Sequence, residues 1–66
     1  MPIDQSKWER GCCAMTYQGT DAQGNTVLLT RTYGAEVTRV EVYGPDNRQI
    51  GELRELPHAE AEALLA

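Results

Sequence analysis

The sequence predicts an α+β domain: a four-stranded antiparallel β-meander with a short N-terminal helix and a C-terminal helix packed on one face. Three observations carry this reading. Residues 38–43 alternate with period two, break at Gly44-Pro45-Asp46-Asn47, and resume over residues 49–56, which reads as a β-hairpin. Pro57 then opens an Ala/Glu/Leu segment that predicts a helix over residues 57–66, with Pro57 at the favoured first position. Two independent hairpin turns also place the same six apolar residues on one face, as worked out below.

Residues 3–11 have the marks of a short helix. Asp4 can cap the first turn, Ile3 and Trp8 have hydrophobic-staple spacing, and Gly11 is placed to end the helix in a left-handed conformation. A frayed segment is the competing reading, because so short a helix is marginal alone. Residues 12–18 form the first predicted strand. Asp21-Ala22-Gln23-Gly24-Asn25 then reads as a three-residue hairpin loop with Gly24 left-handed. If Asp21 faces Asn25, Tyr17 faces Leu29, Met15 faces Arg31 and Cys13 faces Tyr33. Residues 26–33 form the second strand, and Gly34-Ala35 a two-residue turn. If Tyr33 faces Glu36, Leu29 faces Val40 and Val27 faces Val42. Both registers put Met15, Tyr17, Val27, Leu29, Val40 and Val42 on one face, the agreement between levels expected of a real fold. The third turn leaves two registers open: a three-residue loop sets Val40 opposite Glu52, a four-residue loop sets it opposite Leu53, and a bulge could reconcile them. The terminal helix spans about 15 Å and so shields one sheet face only. The other face carries Ala14, Leu28, Val37 and Tyr43 among Thr16, Thr30, Arg39 and Glu41.

With 66 residues the chain is read as a single small domain, 1–66, with a thin stability margin. Chains of this size often add disulfides, a metal or a partner subunit. Lys7, Arg10 and Arg31 balance Asp4, Glu9 and Asp21. Arg39, Arg48 and Arg54 are outnumbered by Glu36, Glu41, Asp46, Glu52, Glu55, Glu60 and Glu62, so the net charge of −4 lies entirely in residues 36–66. An acidic chain lacks the basic footprint of a duplex binder and suits a basic partner or a solvated surface. The N-terminus shows no signal-peptide pattern, and no run approaches the roughly 20 apolar residues of a membrane span. The expected location is cytoplasmic, with reduced cysteines.

The chemistry-bearing residues are few. Cys12 and Cys13 are adjacent, and on a strand they point to opposite faces, so one is expected buried and the other exposed. They are read as structural, without a disulfide or metal. His58 is the only histidine, and Ser6, the only serine, lies far from it in sequence, so no nucleophile–base pair forms. Glu60 and Glu62 fall on different sides of a helix. No catalytic, cofactor-binding or metal site is expected, and the chain is read as non-enzymatic.

The expected function is a small protein-interaction or regulatory module, self-associating, with a protein partner or a homodimer. Its candidate interaction residues are Trp8, Leu28, Val37, Arg39, Tyr43 and Arg54. Trp8 reads either as packed on the domain or as an exposed anchor of the kind enriched in interface hot spots. Arg39 and Arg54 beside Tyr43 on an open sheet face are the alternative: stacking and charge are what a single-stranded nucleic acid requires. The order of a four-stranded meander and then a helix is similar in topology to the single-strand-binding transcriptional coactivator fold, and that resemblance implies a strand laid on the sheet.

Overall fold

A computed structural model of the chain describes residues 7–66. It is a five-stranded antiparallel sheet in the order β1-β2-β3-β4-β5, followed by one short helix. The strands are β1 (Glu9–Arg10), β2 (Ala14–Thr20), β3 (Thr26–Thr32), β4 (Val37–Tyr43) and β5 (Arg54–Pro57), and the helix is α1 (His58–Glu62). The meander is as expected. The strand count is not, and neither is the N-terminal helix. Glu9 and Arg10 pair with Thr16 and Met15 of β2, so the end of the expected helix is instead a fifth strand. Strand pairing with a neighbour satisfies backbone groups that a one- or two-turn helix would leave to water. The expected cap at Asp4 and the Ile3 end of the staple lie outside the described residues.

The first two hairpins have the expected registers. Tyr17 faces Leu29 and Met15 faces Arg31 across β2 and β3. Leu29 faces Val40 and Val27 faces Val42 across β3 and β4. The first loop is built as its residues demand. Gly24 is left-handed at φ +82°. The Asp21 carboxylate accepts from the backbone N–H of Gln23 at 3.0 Å, the backbone N–H of Asn25 at 2.9 Å and the Asn25 side chain at 3.2 Å. Desolvation opposes the charged carboxylate, but these N–H donors outweigh it and hold its pKa below the ordinary value. The second connection is longer than the expected two-residue turn: Tyr33 and Glu36 are not paired with each other, and Ala35 N–H closes on Thr32 O at 3.0 Å.

The third hairpin follows neither expected register to its end. It begins with the three-residue loop: Tyr43 bridges Gln49, Gly44 and Arg48 close the turn, and Asn47 takes the left-handed position at φ 64°. Gly51, at φ +71°, then turns the chain out of the ladder. When pairing resumes, Val40 faces Arg54, not Glu52 or Leu53. Ile50 and Leu53 are left on this excursion, 50% and 43% exposed. Pro57 closes β5 instead of opening the helix, and α1 is five residues long.

One sheet face carries the core. Val27, Leu29 and Val40 are buried with Trp8 and Ala61, and Met15, Tyr17, Val42, Leu56, Leu64 and Leu65 pack around them. Trp8 is 5% exposed, with its ring 5.4 Å from that of Tyr17, so it is packed on the domain. Helix α1 and the following residues cover this face. The last backbone N–H, of Ala66, donates to Thr20 O at 2.9 Å and ties the tail to the far end of β2. Gly19 makes room for the tail: a Cβ there would lie 3.0 Å from Leu65 Cδ2 and 3.1 Å from Tyr17 Cε1.

Leu29 is fully buried and central to both registers. Leu29→Ala is expected to lower the stability by about 2–5 kcal/mol, read by urea or thermal unfolding. An unchanged midpoint would contradict the packing described here.

Candidate functional site

Side chains alternate across a strand, so the register that buries Val27, Leu29 and Val40 presents their neighbours on the opposite face. That outer face is composed of Thr16 and Gln18 of β2, Thr26, Leu28 and Thr30 of β3, and Val37, Arg39, Glu41 and Tyr43 of β4. α1 packs against the other side, where Ala61 joins the core. Leu28 is half-buried between two shallow hollows. One is lined by Lys7, Glu9, Thr16 and Gln18, the other by Gln18, Thr26, Tyr43 and Asn47. Charges of both signs are interleaved here. Arg39 sits opposite Thr30 on one side and Glu55 on the other.

Of the six residues singled out in the sequence, Leu28, Val37, Arg39 and Tyr43 share this face. Arg54 does not: opposite Val40, it belongs to the core-side face at the β5 edge. The three-residue loop sets this parity, and the two-residue excursion at Gly51 preserves it. Trp8 is also on the core side and buried. The Tyr43 hydroxyl donates to Glu41 Oε2 at 2.7 Å. That hydrogen bond, then desolvation and the Glu41 charge, push the Tyr43 phenol above its ordinary pKa. Glu41 is therefore engaged along its own strand.

A second polar feature lies beneath the core, and sequence reading missed it. Thr38 is fully buried. Arg31 Nε donates to Thr38 Oγ1 at 3.1 Å, Thr38 Oγ1 lies 2.7 Å from His58 Nδ1, and His58 Nε2 lies 3.0 Å from Ala35 O. A carbonyl only accepts, so Nε2 carries the ring proton in the neutral imidazole, and Nδ1 then accepts from the Thr38 hydroxyl. The chain of donors runs from Arg31 through Thr38 and His58 to the β3–β4 loop. The Arg31 guanidinium lies 4.7 Å from the centre of the Trp8 ring. This cation–π contact offsets part of the cost of two buried nitrogens, Trp8 Nε1 and Arg31 Nη2, that have no hydrogen-bond partner among the described residues. Both His58 nitrogens are occupied, so the ring acts as a brace between α1 and a loop. The sequence signal was the placement of Arg31 and Thr38 on the core face by the same registers that placed Leu29.

Cys12 and Cys13 are not strand residues. They occupy the bend between β1 and β2, and both are exposed, so the expectation that one is buried is corrected. Alternation holds only in extended backbone. Among the described residues no group of three or more His, Cys, Asp or Glu converges on a metal position, and no helix is long and apolar enough to cross a membrane. A depression of about 520 Å³ lies on the Gly51 excursion and is lined by Ile50, Leu53, Arg54, Val42 and Asp21. No family model matches the chain, and neither does any curated protein or solved structure.

Two outcomes are expected. Thr38→Val keeps the shape but strips Arg31 Nε and His58 Nδ1 of their partner, so it should cost about 1–3 kcal/mol in denaturant unfolding. A neutral result would show the hydroxyl to be dispensable. In ultraviolet titration, one of the three tyrosines should deprotonate above the ordinary phenol range, and Glu41→Gln should bring it back. The raised pKa means that the folded state holds this proton more tightly. Its stabilisation is present below the unfolded phenol pKa and is lost as pH rises through the folded value.

Proposed function

We propose that this chain is a small non-enzymatic interaction module that self-associates through its outer sheet face. Domains are built from two packed layers, and here, among the described residues, the second layer, α1 and the tail, covers the core face alone. That uncovered face, centred on Leu28, is the observation that carries the reading. A second copy supplies the missing layer as a sheet-on-sheet sandwich at about 10 Å spacing. The face suits a copy of itself. Lys7 and Arg39 stand among Glu9, Glu41 and Glu55, so a twofold arrangement can set each cation against a partner carboxylate. The β5 edge suits pairing less well. It is four residues long, carries Arg54 and Glu55, and ends in Pro57, features that discourage edge association.

Single-stranded nucleic acid is the rival occupant of the same face. Arg39, Lys7 and Tyr43 favour it. The three carboxylates beside them and the displacement of Arg54 to the other face favour the protein partner.

Sedimentation at several concentrations should show a reversible monomer–dimer equilibrium. Leu28→Asp and Arg39→Glu should both shift it to monomer, by tenfold or more in dissociation constant for the former. A monomer at all concentrations would refute self-association. Salt-sensitive binding of an oligonucleotide that Arg39→Glu abolishes would select the rival.

A further inference from the structure

Cys12 and Cys13 are both exposed, and their Sγ atoms lie 3.2 Å apart. The bend that carries them is clasped at three points. Gly11 N–H donates to Ala14 O at 2.8 Å, Tyr33 N–H to Cys13 O at 3.1 Å, and Tyr33 Oη–H to Gly11 O at 2.9 Å. These contacts fix the backbone of the bend, from which the two thiols converge on each other and stay open to solvent. Such preorganisation favours a ligand that needs both at once. We propose that Cys12 and Cys13 form a chelating dithiol for trivalent arsenic compounds.

The sulfur separation suits one class of ligand. With bonds to sulfur of about 2.3 Å, atoms 3.2 Å apart subtend an angle of about 90° at the bridging atom. That is the angle of a pyramidal, three-coordinate centre such as arsenic(III), whose bonds to sulfur are of similar length. A tetrahedral zinc ion wants sulfurs about 3.8 Å apart and two further ligands. The described residues offer no third His, Cys, Asp or Glu at this position. A linear two-coordinate soft ion wants them about 4.6 Å apart at the same bond length. A disulfide is the poorer product, because adjacent Cα atoms about 3.8 Å apart fall short of the spacing disulfides normally span.

The reaction needs no oxidant. An organoarsenic oxide loses its oxygen as water with both thiol protons. Two S–H bonds break, two As–S bonds form, and arsenic stays trivalent with its organic group in the third position.

Phenylarsine oxide is the probe, added to the reduced full chain. One equivalent should bind, with the intact mass rising by that of the probe less one water. The adduct should survive excess monothiol and be stripped by a small dithiol. Cys12→Ser and Cys13→Ser should each weaken binding about 100-fold or more, the scale of a lost second attachment. Both side chains are exposed, so these variants should keep the wild-type unfolding midpoint; if one fails to fold, the other carries the test. Tyr33→Phe removes one clasp and should weaken binding severalfold with both thiols intact. The proposal is overturned if a single-cysteine variant binds as tightly as the wild type, if monothiol strips the adduct, or if zinc competes the arsenical away at equal concentration.

Discussion

Leu29 faces Tyr17 on one side and Val40 on the other, and the remaining structure depends on that double pairing. β3 is flanked on both sides by strands of its own length. Val27 and Leu29, its apolar core-facing residues, are sealed because neighbouring strands supply side chains from both directions. A period-two side-chain pattern makes a slip by one residue intolerable, since it would turn Leu29 to water and Leu28 inward. The left-handed glycines at 24 and 34 hold the two connections at the lengths this pairing requires. The sheet is thus specified from its centre outward, and its margins are where other forces enter.

At one margin the core becomes polar. Thr38 lies on the same face as Val40, yet it is fully buried and bound to Arg31 and His58. An apolar residue there would pack as well, but it could not join β3, α1 and the β3–β4 loop through directional contacts. The helix is only five residues long and would be marginal in isolation. Its position comes from the His58 brace, the burial of Ala61 and the Ala66 contact with β2.

The middle of the fold was legible in the sequence because its turns are chemically explicit. Asp21, Gly24 and Asn25 build one loop from their own side chains and backbone freedom, and at the third turn Asp46 accepts from Arg48 N–H while Asn47 takes the left-handed position. What could not be read depended on distant contacts. Glu9 and Arg10 have no strand-forming composition and pair only because β2 offers an open edge. Gly51 is legible as a glycine but not as the point where two residues leave the ladder, and Arg54 falls on the core-side face because the third turn takes the three-residue loop, whose parity a two-residue shift keeps. Adjacent cysteines were assigned to opposite faces on the assumption of extended chain, whereas a bend brings their sulfurs together. That Leu28, Val37, Arg39 and Tyr43 share one sheet face follows from the two central registers alone.

The largest core side chain, Trp8, adjoins the shortest strand. β1 meets β2 at two residue pairs, so the ladder that holds the indole in place is the weakest in the sheet. Local opening there has two simultaneous effects: it uncovers a large aromatic surface and frees the backbone of Met15 and Thr16 along an edge of the sheet. An unpaired edge beside an exposed indole is a template for addition of another chain. The route by which this protein would aggregate therefore begins at its first strand, at a free energy well below that of global unfolding, and the indole emission would register that opening before the rest of the sheet is lost.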